Sequence, residues 1–335
     1  MMNDVVRRLG LLVAVVLATT FLAFAALNLL GDPLVNVVGS AAELPCDVIE
    51  ETGAMPDGLP ATPSTISSCE AVAEASAIYH LDKPLPTRYL LWLGDVLRGD
   101  FGRSFANDQA VSDIIIEKAP ETLLLMAMAL VLSLAISIPW GVAAAYRAHR
   151  RLDRASTVVS FGLLAIPNFA LGVLLLYFFA LRWEVFPSAY DASSFGSQVW
   201  SLVLPATALA LPLAAGYQRL LRSDLITTLQ EDFVHMARAK GMPPRYIMFR
   251  HALRPSLFSL LTVFGVNMGT LIGGSLIVER IFAIPGLGSE IVTAVIRDDF
   301  PTVLGMVVVL SIAFVVINFV VDLLYRWLDP RVSIS

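Results

Sequence analysis

Six apolar runs divide this chain, at 9–30, 119–146, 155–181, 201–221, 257–278 and 301–325. Each has the roughly 20 residues that a helix needs to cross the hydrocarbon core of a bilayer. Inside lipid every backbone N–H and C=O must be paired within the protein, so only helices or closed barrels can span it. Long runs with no alternation of polar and apolar positions are helical. Of 335 residues, 57% are hydrophobic and 15% charged, whereas a soluble domain carries about 25% charged residues. The fold class read from the sequence is an all-α polytopic membrane protein with six transmembrane helices.

Charge orients the helices. Arg7 and Arg8 precede the first run; Arg147, Arg150, Arg151 and Arg154 fill the short loop between the second and third runs; seven Lys and Arg lie between Arg219 and Arg254; Arg326 and Arg331 follow the last run. These fifteen of the 23 basic residues mark the cytoplasmic side under the positive-inside rule, with both termini cytoplasmic. The net charge of -5 is therefore topology and gives no indication of nucleic-acid binding. The first run is read as a retained anchor, although Ala23-Phe24-Ala25 resembles a signal-peptide cleavage site. The expected organisation is a first transmembrane helix over 1–31, a large extracytoplasmic loop over 32–119, a five-helix core over 120–326 with a cytoplasmic loop at 224–255, and a cytoplasmic tail over 327–335.

The extracytoplasmic region holds both cysteines, Cys46 and Cys69. An external compartment favours a disulfide between them over two unpaired thiols, and the absence of a CxxC spacing argues against redox catalysis. Further on, Leu90, Leu93 and Leu97 recur at helical spacing beside Tyr89 and Trp92. That pattern predicts an amphipathic helix at the outer membrane interface, and Gly99 and Gly102 bracket a turn after it. Pro167 predicts a kink in the third run.

The cytoplasmic stretch from Asp232 to Ser256 is basic and densely patterned. A helix through Ala237 and Ala239 should stop at Gly241, which can take the left-handed C-terminal conformation. The pair Pro243-Pro244 then starts a second helix. Phe233, Met236, Ala237 and Lys240 are expected to share one face of the first helix. The plainer reading is that this basic loop only enforces topology. Catalysis finds no support: there is no GxxxxGK[ST] phosphate loop and no serine-hydrolase motif. His80, His149, His235 and His251 have no metal-ligand spacing. Energy for any work this chain performs must come from another polypeptide.

Four stretches together carry a family resemblance: LDKPLPTRYLLWLGDVLRGDFGRS (81–104), EDFVHMARAKGMPPRYIMFRHALRPSL (231–257), VERIFAIPGLG (278–288) and VDLLYRWLDPR (321–331). The chain resembles the B-type inner-membrane permease subunit of binding-protein-dependent ABC importers of the oligopeptide/dipeptide/nickel group. In the broader importer loop pattern His235 stands where Glu is expected and Arg254 where Pro is expected; ARAKG and RHALR are the wording of the peptide/nickel group.

The resemblance implies a multi-pass protein of the bacterial inner membrane. Its partners would be a homologous permease subunit, two ATPase subunits (or one fused pair) and an extracytoplasmic substrate-binding protein, with lipid around it and no nucleic acid. It implies no cofactor on this chain, ATP and magnesium being held by the ATPase subunits. The helix at 232–241 becomes a coupling helix, with Phe233, Met236, Ala237, Arg238, Ala239, Lys240 and Gly241 meeting a groove on the ATPase. In the fifth run Gly265, Gly269 and Gly273 recur every fourth residue, extended by Gly274 and Ser275. Such a stripe permits close helix approach, either to a second permease subunit beside the translocation path or within this chain. Asn267 should face protein or a water-filled cavity, not lipid. Glu279 and Asp322 are candidates of the same kind, the plainer reading being that both are ordinary residues near the interface. The expected cargo is oligo- or dipeptides. A nickel or other small-solute importer of the same group is the alternative, and a membrane-embedded enzyme or stand-alone channel is the alternative of a different class.

Overall fold

Proline and glycine decide where the long apolar runs break. In the computed structural model, which describes residues 2–30, 38, 41, 44–52, 54–55, 60, 62–78, 80 and 83–328, Ile166 is extended (φ -88°, ψ 122°) and so is Pro167 (φ -60°, ψ 144°). A proline ring disfavours helical geometry in the residue before it, so the third apolar run is broken where a kink was expected. Helices α6 (Arg151–Ala165) and α7 (Asn168–Leu175, continued by a π-helical turn Leu176–Arg182) meet at a bend of 102°. By contrast, Pro205 and Pro212 lie inside an unbroken helix, α8 (Phe195–Thr228).

The remaining elements, in chain order, are α1 (Met2–Leu30), α2 (Cys46–Thr52), α3 (Pro63–Ile78), α4 (Leu85–Leu97) and α5 (Val111–Tyr146), all before α6. After α8 come α9 (Asp232–Ala239), a helical turn Pro244–Tyr246, a π-helical turn Ile247–Ala252, α10 (Leu253–Ile281), α11 (Leu287–Ile296) and α12 (Phe300–Leu328). Among the described residues there is no β-strand; two isolated bridges pair Ala54 with Pro60 and Arg103 with Ala110. Among the described residues four helices are long and apolar enough to cross a membrane, and counting the bent pair as one span makes five. In α1 the described apolar stretch is Val13–Leu29.

The chain forms two units. The first comprises Met1–Glu117 with Ile291–Ile312. Here Phe24 of α1, Tyr89 of α4 and Leu304 of α12 form a small core with Leu27, Trp92 and Leu93 at its edge. The Tyr89 hydroxyl shares a 2.8 Å hydrogen bond with Thr20 and donates to the Leu17 carbonyl at 3.1 Å, so the one polar atom of this buried ring is satisfied. Cys46 and Cys69 are joined by a disulfide, tying α2 to α3. The turn after α4 uses Gly99 (φ 89°) and Gly102 (φ 80°). It is held to the start of α12 by the buried Asp299 carboxylate, which accepts from Ser104 Oγ (2.5 Å), the Phe105 amide (3.0 Å) and Thr302 Oγ1 (2.8 Å). Leu81 and Asp82 of the first family stretch lie outside the described residues, as does the tail from 329.

The second unit comprises Lys118–Glu290 with Ala313–Ser335. Its axis is α8, whose Leu202, Leu209, Tyr217, Leu221 and Leu225 are completely buried. A core of Val142, Ala145, Tyr217, Leu221, Leu225, Met248, Ala252 and Leu260 joins α5, α8, the π-helical turn and α10. Polar groups join α6 to α8. Asp153, almost fully buried, is held by both Arg222 Nε and Nη2, the latter at 2.7 Å. One and two turns further along α6, Ser156 and Ser160 bracket Gln218 at 3.1 and 2.7 Å. Buried polar groups in lipid demand partners of this kind.

Candidate functional site

The candidate loop at 232–256 is organised by the way α9 ends. Asp232 lies in its first turn and Arg238 in its last, matching the sign of the helix dipole at each end. Gly241 takes φ 76°, the left-handed conformation expected of it. The Gly241 amide then donates to the Arg238 carbonyl at 2.9 Å and the Met242 amide to the Ala237 carbonyl at 3.3 Å. That pair of bonds is the Schellman motif, which commonly brings the residue after the cap onto the last turn. Val234, Ala237 and Ile247 accordingly form a small buried core with Leu229 and Met242 at its edge.

This core corrects one sequence expectation. Ala237 is only 5% exposed and faces the loop interior, while Phe233 is 45% and Met236 59% exposed. The face presented to solvent is Phe233, Met236 and Lys240, with Arg238 and Ala239 also exposed. Ala237 was placed with them by i, i+4 spacing from Phe233, but the Schellman closure needs an apolar contact and takes Ala237 for it. Arg238 Nη2 donates back to the Leu229 carbonyl at 3.3 Å, fixing the helix against the end of α8. Spacing also missed the second half of the loop: Tyr246 is 49% and Phe249 59% exposed, and the Tyr246 ring meets His251 edge-on at 5.6 Å. The signal was present as two aromatics three residues apart.

The loop is anchored in the spans on both sides. Met248 and Ala252 belong to the same core as Leu221 and Leu225 of α8. Thr228 and Ser256 share a 3.3 Å hydrogen bond. A force applied to α9 therefore acts on packed helices, because close-packed interiors transmit displacement.

The small residues of α10 do not form one packed face. Gly265, Gly269 and Ser275 are buried, Gly274 is half-buried and Gly273 is exposed. Four residues turn a helix through about 400°, so a stripe of period four drifts about 40° at each step and Gly273 leaves the face of Gly265. At Gly269 an added Cβ would lie 2.1 Å from the Phe314 ring, and at Gly274 3.2 Å from Asn168 Nδ2; the close approaches are within the chain. Gly273 instead lies on an open face with Val266, Thr270 and Ile277. Asn267 is half-buried, and its carbonyl accepts from Thr270 Oγ1 at 2.8 Å.

At the far end of α10 sits Glu279, which the sequence read as an ordinary interface residue. Glu279 is fully buried. It accepts from Thr122 Oγ1 at 2.9 Å and from the Ser289 amide at 3.0 Å, and Thr122 in turn accepts from the Leu287 amide at 2.9 Å. The carboxylate and the threonine thus satisfy free N–H groups at the start of α11. Gly286 and Gly288 make room: a Cβ would come within 2.4 Å and 2.8 Å of Glu279 Oε2. The two glycines spaced around Leu287 were the available signal. The Asp322 side chain lies outside the described residues. Among the described residues no three His, Cys, Asp or Glu gather as a metal site.

Residues 137–334 match the family model described as a binding-protein-dependent transport system inner membrane component. Among similar curated proteins, the oligopeptide transport system permease protein AppB of Bacillus subtilis (strain 168) is 38% identical over 76% of this chain and 83% of its own length. The dipeptide transport system permease protein DppB of the same organism is 36% identical over 77% of this chain and 82% of its own length. A putative peptide transport system permease protein of Brucella abortus (strain 2308) is 34% identical over 98% of each chain. Among solved structures, an inward-facing MetNI methionine ABC transporter has TM-score 0.54 at 21% identity, covering 64% of this chain and 96% of the other. An amino acid ABC transporter gives 0.51 at 15% identity, over 64% and 94%. At these identities the solved structures establish a shared fold.

Proposed function

The chain belongs to the family of binding-protein-dependent transport system inner membrane components, and from that premise we propose that it forms half of a peptide translocation path driven through α9. It is a permease subunit of an ABC importer and not an enzyme; hydrolysis of ATP belongs to a partner ATPase. The proposed cargo is oligo- or dipeptides, supported by the names of the relatives from Bacillus subtilis. In the proposed topology α1 is the first of six spans and the bent pair α6–α7 the third. Both termini are cytoplasmic and residues 32–119 lie outside.

The observation that carries the mechanism is the exposed apolar pair Phe233 and Met236 on a short, rigidly capped helix between two spans. Such a pair, rimmed by Lys240 and Arg238, fits a groove on a cytoplasmic ATPase subunit as a helix-in-groove contact. A homologous permease subunit, two ATPase subunits and an extracytoplasmic binding protein complete the proposed assembly. Closure of the ATPase pair on ATP would draw the coupling helices together, and α8 and α10 would carry that motion to the spans through Leu225, Met248 and Ala252. The state change must come from contacts that differ between ATPase conformations. The open face of α10, with Val266, Thr270, Gly273 and Ile277, is the proposed wall toward the path or the second permease.

Deleting 235–241 from the complete transporter in proteoliposomes tests this. The expected outcome is normal membrane insertion with loss of both peptide uptake and ATPase recruitment. Uptake that survives the deletion, or solute flux through the chain alone without an ATPase, contradicts the proposal.

A further inference from the structure

The unit formed by 1–117 and 291–312 contains a half-open cavity of about 210 Å³. Its wall changes character from one part to another. Phe24 and Leu27 from the last turns of α1, with Leu304 of α12, are apolar. Arg88 and Trp92 of α4, with Asp95 and Asp100, bring one cation, one large aromatic face and two carboxylates. Arg88 is held in place by a 2.7 Å hydrogen bond from Nη2 to Asn28 Oδ1, and Asn28 itself donates to the Phe24 carbonyl at 2.7 Å. The Asp95 side chain is half exposed and 3.2 Å from Arg98.

Size limits the occupant. The cavity is below the roughly 300–1,000 Å³ of pockets that enclose a drug-sized ligand, so it takes a headgroup-sized moiety and not an oligopeptide. Chemistry narrows it further. A guanidinium matches a phosphate, while carboxylates beside an aromatic face match an ammonium group. Position narrows it again. The cavity is lined by Leu27 and Asn28, next in the chain to Leu29 (80% exposed), and the α4 that lines it carries Leu90 (64%) and Leu97 (80%). Exposed leucines on an amphipathic helix, beside the end of an apolar helix, mark the level where hydrocarbon meets water.

We propose that this cavity binds one phospholipid with a phosphoethanolamine headgroup. The phosphate pairs with Arg88, the ammonium lies among Asp95, Asp100 and Trp92, and an acyl chain runs down beside Phe24 and Leu27. The lipid would fasten α4 to α1, adding to the Tyr89–Thr20 contact. A lipid in this cavity is independent of the cargo and of α9.

Native mass spectrometry of the full-length chain in mild detergent, titrated with dioleoyl-phosphatidylethanolamine or dioleoyl-phosphatidylglycerol, tests it. One phosphatidylethanolamine should be retained at about tenfold lower concentration than phosphatidylglycerol, with Arg88→Gln and Asp95→Asn each removing about tenfold, as loss of a charged hydrogen bond does. Asp95→Asn changes an accessible side chain and leaves the Arg88–Asn28 bond in place, so it remains readable if Arg88→Gln fails to fold. Equal retention of the two lipids, or unchanged retention in Asp95→Asn, overturns the proposal. Displacement of the bound lipid by dialanine also overturns it, since that result would make the cavity a peptide site.

Discussion

The two ends of α10 solve opposite problems. At the 229–256 end, large apolar side chains point into solvent: Phe233, Met236, Tyr246 and Phe249. At the 279–289 end a carboxylate is fully buried and surrounded by donors, Thr122 Oγ1 and the Ser289 amide. Each inverts the ordinary rule that apolar groups go inside and charges outside. The first inversion leaves a surface that gains by being covered, which is what a docking site requires. The second leaves nothing to be covered, because its hydrogen bonds are complete within the chain. One end of the helix therefore carries the face proposed to receive a partner, and the other holds its own geometry.

The largest effect should come from the closed end. Glu279→Ala removes the acceptor from Thr122 and the Ser289 amide, each costing about 1–3 kcal/mol when left buried and unpaired. Thermal unfolding of the purified chain should show this as the strongest destabilisation of any variant considered; a midpoint equal to that of the parent chain would deny Glu279 its structural role. Glycines at the two ends should then respond differently. Gly286→Ala places Cβ against Glu279 and Thr122, an overpacking worth roughly 1–3 kcal/mol, and Gly286→Asn should be worse still. At Gly241 there is open space and only the left-handed backbone matters. Gly241→Ala should therefore cost about 1–2 kcal/mol, and Gly241→Asn should recover part of it because Asn tolerates that conformation. If Asn rescues both positions or neither, the contrast is wrong.

The smallest effect on stability should come from the exposed pair. Phe233→Ser with Met236→Ser should shift unfolding by less than about 0.5 kcal/mol. Affinity for the ATPase should nonetheless fall about thirtyfold, because roughly 2 kcal/mol of apolar burial is lost on docking. Co-purification and a titration of the ATPase subunits measure this. A double variant that unfolds early but still binds would place these side chains in the core of the loop.

The long spans were legible in the sequence because length and apolarity alone define them, and the structure places α5, α8, α10 and α12 on those runs. Gly241 was legible too, since a glycine at a helix end followed by two prolines has a single local meaning. What escaped was tertiary. The break at Ile166–Pro167 depends on whether the chain straightens past a proline, and α8 shows that two other prolines are absorbed. Ala237 turned inward because Met242 and Ile247 fold back onto it, residues whose placement no helical wheel includes. Glu279 looked like an interface residue because its partners, Thr122 and Ser289, are far from it or beyond a turn. The glycine stripe divides for a geometric reason: a period of four is not 3.6, so Gly265 and Gly269 stay packed within the chain while the drift puts Gly273 on a different face.

The direct measurement of coupling through α9 is thiol accessibility at its exposed face. Cys46 and Cys69 are bonded to each other and no other cysteine exists in the chain, so Met236→Cys supplies a single reactive thiol. A membrane-impermeant maleimide should label it readily in the isolated chain. In the complete transporter labelling should be blocked, with uptake retained at a reduced level. Equal labelling rates in the isolated chain and in an assembled, ATP-hydrolysing transporter would contradict docking at α9.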